Sequence, residues 1–296
     1  MEEERKMFNP AEKPTKKVED TQSIASSTKK DGRMYADYQF KPGNTAQNLA
    51  DFIKESAPQS KGLVPSWSAS MLKKFETCRW QVYLNKVLKL PTEQGPAAER
   101  GERWHAACEL YVMGEIGEWP EDMASSTKFA HFADDFDELR DAYAEACVEV
   151  EGNWGFNQDW DAVEWMAPDV WARMKLDVKY EYSPTHIRII DHKTGKKFGN
   201  EVTHADQGLI YTIGAFMRYP EVELIDVDFW YLDQGEKSFP KRYSRAQAMV
   251  FLPRITDRAL RLTTATERDF RPSPSIHNCR YCDFNKEGAC EYRVNR

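Results

Sequence analysis

The chain has 296 residues, 41% of them hydrophobic, which is enough for one large domain or two small ones, and it carries a formal net charge of −7. It holds no run of eighteen apolar residues, which excludes a membrane-spanning helix, and its opening Met-Glu-Glu-Glu-Arg-Lys lacks the apolar stretch of a secretory signal. A soluble, cytoplasmic protein with no membrane partner is expected, so six cysteines in a reducing compartment point to metal ligands or buried thiols rather than disulfides.

Residues 1–60 are rich in Lys, Glu, Ser, Thr and Pro and read as a flexible tail, with a short helix possible over Ala46 to Ser56. The folded domain spans 61–296. Ser68 or Ser70 can cap a helix running to about Val87, with Leu72, Phe75, Val82 and Tyr83 at helical spacing and Cys78 inside it. A second helix covers about Ala97 to Val112 and carries His105. An acidic helical insert, 113–165, follows, with helical periodicity from about Phe129 to Val150. Between Glu115 and Glu164 stand 15 acidic residues against Lys128 and Arg140, and taking that −13 from the chain's −7 leaves the remainder at +6. The acidity therefore belongs to one segment, read as a solvated helix face or a partner-facing surface.

From Ala172 the period changes to two. Arg173, Lys175, Asp177, Lys179 and Glu181 alternate with Met174, Leu176, Val178 and Tyr180, as in a strand with one polar face. Ser183-Pro184-Thr185 turns the chain, and His186 to His192 returns as a second strand. A helix is expected over about Ala205 to Arg218, a strand over about Leu224 to Leu232 with a hairpin partner after Asp233-Gln234-Gly235-Glu236, and a last helix over about Arg245 to Glu267. Residues 272–296 form a cysteine-rich loop.

Asp177 lies on the polar face of the first strand. Asp191 and Lys193, two apart at the end of the next, share one face. Two carboxylates converging on a small volume repel unless a cation neutralises them, and a hard cation such as Mg²⁺ or Mn²⁺ suits oxygen ligands. On these residues alone an ordinary solvated hairpin is the favoured reading.

The surrounding residues add an ordered set. Gly101-Glu102-Arg103-Trp104-His105 comes first, then Asp177. Next is Ile189-Ile190-Asp191-His192-Lys193-Thr194-Gly195-Lys196, followed by Gln207-Gly208-Leu209-Ile210-Tyr211. With Ser66-Trp67-Ser68-Ala69-Ser70 ahead of Phe75 and Cys78, this resembles the RecB-like exonuclease branch of the PD-(D/E)XK superfamily. The resemblance implies an α/β restriction-endonuclease-like core, with a central mixed sheet flanked by helices. It implies His105, Asp177, Asp191 and the main-chain carbonyl of His192 as ligands of Mg²⁺ or Mn²⁺. Lys193 becomes the catalytic lysine, and Gln207 and Tyr211, one helical turn apart, border the site.

Cys279-x-x-Cys282-x₇-Cys290 supplies three thiols, and Cys78 is the natural fourth. The resemblance implies a [4Fe-4S] cluster on this split set, a staple between the N- and C-terminal parts, with zinc as the rival occupant. Cys108 and Cys147 read as buried core thiols. Lys73, Lys74, Arg79, Lys86, Lys89, Arg100, Arg103, Lys193, Lys196 and Lys197 are candidate phosphate contacts, and Trp67, Trp80, Trp104 and Tyr211 could stack unpaired bases. The expectation is a metal-dependent DNA exonuclease of recombination, repair or replication. It would hold single-stranded or end-bearing DNA through the backbone, with a recombination or replication protein as a possible partner and a phage as its preferred source. The alternative is a non-catalytic protein that keeps the fold and holds DNA ends. No G-x-x-x-x-G-K-[ST] loop is present, so no ATP-driven motor is encoded.

Overall fold

The computed structural model describes residues 62–92, 95–285 and 289–294; the expected tail and its short helix lie outside them. Ser68 caps the first helix, α1 (Ala69–Thr77), its hydroxyl accepting from the Met71 amide. The expected continuous helix stops here. Cys78 takes extended backbone (φ −155°), and the chain restarts as α2 (Arg79–Val82), running into a π-helical turn, Tyr83–Val87. Cys78 therefore sits at a break and not within a helix. The cause is tertiary: Asn278 Nδ2 donates to the Thr77 carbonyl at 3.2 Å, and the Ser273 amide donates to Cys78 Sγ at 3.4 Å.

Helix α3 (Pro96–Val112) opens with proline at its first position, where no amide partner is needed. The insert begins as expected, with α4 (Glu121–Ala124), a 3₁₀ turn (Phe129–Phe132) and α5 (Ala133–Ala144). Its later part is not helical: β1 (Val148–Phe156) and β2 (Ala162–Val163) join the sheet. A Cβ at Gly155 would stand 2.8 Å from the Val163 carbonyl oxygen, so only glycine allows this close pairing.

The sheet continues with β3 (Ala172–Ser183), β4 (His186–Lys193), β5 (Leu224–Tyr231), β6 (Glu236–Lys237) and β7 (Lys241–Ser244). Its order is β2-β1-β3-β4-β5-β6, with β7 also on β5; the β4–β5 pair is parallel and the others antiparallel. Helix α6 (Glu201–Arg218) connects the parallel pair, as such a crossover requires. It begins four residues earlier than expected. The expected last helix is two, α7 (Arg245–Met249) and α8 (Leu252–Thr263), separated just ahead of Pro253. A short α9 (Ile276–Arg280) interrupts the C-terminal loop.

Helices cover both faces of the sheet. Gly208 lets α6 approach β5 so closely that a Cβ there would meet Val227 Cγ1 at 3.0 Å. On the other face Trp104 and Cys108 of α3 and Phe136 of α5 pack with Val178, Ile190 and Trp230. Asp228, fully buried beside that cluster, holds Arg188 through two hydrogen bonds of 2.8 Å and accepts from Trp230 Nε1. The mixed sheet between helices is the expected architecture.

Candidate active site

The site forms where the β3–β4 ladder ends. Pairing runs from Ser183↔His186 to Val178↔Ile190. One step further, the Asp177 side chain takes over as acceptor, its Oδ2 receiving the His192 amide at 2.6 Å. Helix α3 reaches the same point, placing His105 Nδ1 3.1 Å from Asp177 Oδ1. Alternation along β4 sends the His192 ring towards Phe136 and Trp230, at 5.3 and 5.6 Å between centroids, and turns Asp191 and Lys193 towards α6.

On α6, Gln207 uses both ends of its amide. Its Oε1 accepts from Lys193 Nζ at 2.9 Å; its Nε2 donates to Asp191 Oδ1 at 3.1 Å and to the Tyr211 hydroxyl at 2.7 Å. Tyr211 in turn donates to the Lys175 carbonyl at 2.9 Å. Lys193 Nζ also pairs with Asp191 Oδ2. The structure therefore brings His105, Asp177, Asp191, Lys193, Gln207 and Tyr211 into one connected cluster.

The electrostatics are uneven. Burial disfavours charge on Asp177, yet the His105 hydrogen bond and the nearby cations override it and hold its pKa down at about 2. Burial also opposes charge on His105, and Asp177 and Asp191 outweigh it and raise the imidazole's pKa. Asp191 fares differently: burial, aided by the Asp177 charge, pushes it up to about 6 despite Lys193. The buried His192 ring is pushed down to about 4 and its Nε2 has no partner. The pocket thus holds more buried acid than its cations compensate, the condition under which a divalent cation binds. Among the described residues, His105, Asp177 and His192 offer donor atoms all within 4.8 Å of one another. Asp191 adds a further oxygen at the same end of the sheet.

Two cavities flank this cluster. One of about 490 Å³ reaches from Trp67 and Lys86 to Tyr211; the other, about 510 Å³, holds Lys73, Lys193, His204 and Arg254. Ala69, Ser70 and Gln207 border both. Arg258 lines the second and clamps Glu76 of α1 to Asp206 of α6 through four hydrogen bonds of 2.7–2.8 Å. Its partners lie 182 and 52 residues away in sequence, so no local pattern marks it.

Several expected DNA contacts are engaged elsewhere. Lys74 pairs with Asp283, Arg100 with Asp233, Arg103 with Asp122 and Lys197 with Glu236. Trp67, Trp104 and Tyr211 are buried and offer no stacking face, and Trp80 stacks on Tyr83. Cys78, Cys279, Cys282 and Cys290 line one small cavity with Phe284. Cys108 is buried, whereas Cys147 is only half-buried, because it lies on the turn into β1.

No curated protein matches the chain. The solved structure of SSO0001 resembles it at 15% identity and a TM-score of 0.42, covering 86% of this chain and 98% of that one. The family model of the PD-(D/E)XK nuclease superfamily matches residues 66–287, from the residue before Trp67 at the entry to α1 through the three-cysteine segment's first two thiols. With that match over most of its length, the chain belongs to the PD-(D/E)XK nuclease superfamily.

Proposed function

We propose that the chain is a deoxyribonuclease that hydrolyses phosphodiesters with Mg²⁺ or Mn²⁺, acting as an exonuclease of the RecB-like branch. The observation that supports it most is the meeting of His105 from α3, Asp177 from β3, and Asp191 and Lys193 from β4 beside Gln207 of α6. The donor set fits a hard divalent cation, because two carboxylates, Asp177 and Asp191, and the His105 imidazole gather at one end of the sheet. His105, Asp177, Asp191 and the His192 carbonyl would hold the ion, which when bound activates a water and stabilises charge on a phosphate oxygen.

The chain's own residues do the rest. Lys193 presents an ammonium group to the attacking water or to the phosphate. Gln207 fixes that ammonium and the Asp191 carboxylate in one geometry, and Tyr211 fixes Gln207 against the β3 backbone. Lys73 and Arg254 line the neighbouring cavity, where they would neutralise the strand's phosphates.

We further propose that Cys78, Cys279, Cys282 and Cys290 bind a [4Fe-4S] cluster whose role is structural. Their shared cavity and the extended break at Cys78 support it. Iron and sulfide analysis of the purified protein tests this; a colourless protein with stoichiometric zinc overturns it. The proposed setting is DNA recombination, repair or replication in a host cytoplasm, from a phage genome and with a protein partner.

Incubation with end-labelled linear DNA and Mn²⁺ tests the activity. Wild type should release nucleotides from linear strands and spare closed circles, and Asp191→Asn should release none. Binding of DNA ends without cleavage by wild type would instead establish a non-catalytic end-holding protein.

A further inference from the structure

A second, smaller cavity of about 170 Å³ opens between the first turns of α6 and the β5–β7 hairpin. Rings wall it: Phe229 and Tyr231 from β5, Tyr243 from β7, and Phe239 at its mouth. Phe239 is 95% exposed, so its ring faces solvent and is free to stack. Gly208 closes the floor by close packing, since a Cβ there would meet the Phe229 ring at 3.2 Å.

This slot adjoins the candidate active site. Lys193 Nζ lies 5.6 Å from the centroid of the Phe229 ring, so one wall sits directly beneath that ammonium. His204 lines both the slot and the 510 Å³ cavity that holds Lys193. Its ring stacks on Phe229 with centroids 5.4 Å apart, and its Nδ1 meets the Tyr231 hydroxyl at 2.9 Å.

The lining separates two chemistries. Flat apolar rings form the interior, while Lys197 and Lys241 stand at the rim, with Glu201 the one acid among them. Glu201 is turned to its own backbone, accepting from the Gly199 amide at 2.8 Å, and Lys197 is tied to Glu236. A ligand that fits has a flat apolar ring joined to an anion. The volume falls below the roughly 300 Å³ of a drug-sized site and suits one ring system. A base pair, wider and already stacked, has no entry.

We propose that the slot receives one unpaired nucleobase of the substrate strand, and that the enzyme therefore prefers single-stranded DNA or frayed ends to blunt duplex. The inference rests on the nuclease reading and adds strand preference to it. A base leaves the strand beside the position of Lys193, enters the slot and stacks on Phe239, and a neighbouring phosphate meets Lys241 at the rim. Stacking of this kind tolerates any base, since each has a π-face.

The test uses the full chain in EDTA, where binding is read without cleavage. Fluorescence anisotropy follows a labelled oligothymidylate and a blunt duplex of equal length; a single 2-aminopurine reports stacking by its quenching. Phe239→Ala removes the exposed ring, and Ala205→Leu fills the slot from α6 without removing anything. Both should weaken single-strand binding about tenfold, a loss within the range for one base–aromatic stack, and leave duplex binding unchanged. Quenching should fall in both.

Unchanged single-strand affinity in both variants overturns the proposal, as does equal loss on single strand and duplex. Intact DNA binding together with a changed solution mass in Phe239→Ala assigns the patch to a protein interface and also overturns it. Wild type that neither binds nor cuts any DNA refutes the underlying nuclease reading, a result distinct from all of these.

Discussion

Asp191→Asn should make the metal-free protein more stable at neutral pH while abolishing its activity. Asp191 is 3% exposed, and its pKa rises from an ordinary 3.8 to about 6 in the fold. A raised folded pKa means the folded state holds the proton longer than the unfolded one. Its stabilising contribution is complete below about pH 4 and lost as pH rises through 6. The difference of about two pKa units, at about 1.4 kcal/mol each, gives up to about 3 kcal/mol of stability lost on ionisation. Asparagine keeps an oxygen for Gln207 Nε2 and carries no charge. It forfeits the Lys193 pair, and that ammonium, 20% exposed, can turn to the water of the adjoining cavity. For a domain of this size 3 kcal/mol corresponds to about 6–12 °C in Tm. Scanning calorimetry in EDTA should show the variant above wild type at pH 8 and the two alike at pH 4. Saturating Mn²⁺ should reverse the order at pH 8. Wild type then gains about 4.1 kcal/mol when the ion is at about a thousand times its Kd, more than the variant's lead of about 3 kcal/mol, and the variant gains far less. A variant less stable than wild type in EDTA at pH 8, or one stabilised equally by Mn²⁺, refutes the view that Asp191 is a buried charge only partly compensated by Lys193 and completed by a cation.

Lys193→Met should lower kcat on linear DNA by about 10²–10³, and Gln207→Ala by about tenfold, both with KM little changed, in steady-state digestion assays. Arg188→Met strands the fully buried Asp228 and should cost about 3–5 kcal/mol in urea unfolding, whereas adding Asp228→Leu should return most of it. If the proposed cluster is present, Cys282→Ser should abolish most of the iron that wild type binds and cost more than about 4 kcal/mol of stability, the size of effect that accompanies loss of a metal site.

The β3–β4 hairpin was legible because its alternation is clean and its turn carries Ser183-Pro184-Thr185. Strand β1 was not: Glu149, Glu151, Gly152 and Gly155 interrupt the apolar pattern, and an acidic stretch of this kind reads as helix surface. Only its partners in β3 make it a strand, with Val150 opposite Val178 and Trp154 opposite Met174. The early start of α6 was hidden by Gly195, Gly199 and two lysines, which signal loop. The break at Cys78 depends on Asn278 and Ser273, about two hundred residues away in the chain. The cluster's membership was expected from the ordered motifs through the resemblance they carry, and not from local spacing, since His105 and Asp177 stand 72 residues apart. Arg258, His204 and the ring-walled slot could not be expected, because they exist only once α1, α6, α8 and the hairpin meet.

The thiol cavity and the reaction site are joined by one short element. Helix α1 presents Ala69 and Ser70 to both cavities beside Gln207, and its other end terminates at Cys78. That end is tied to the C-terminal segment through Asn278, through the Lys74–Asp283 pair and through Ser273. Its middle is tied to α6 and α8 by Arg258, which grips Glu76 and Asp206 together. A chain that closes a loop of about two hundred residues gains little from each contact alone, because loop closure must be met first. The proposed cluster would meet it once at Cys78, and every weaker contact along α1 would then form at high effective concentration. With the proposed cluster bound, the thiols would act on DNA binding while standing apart from the chemistry, through the placement of α1 at the mouth of the site.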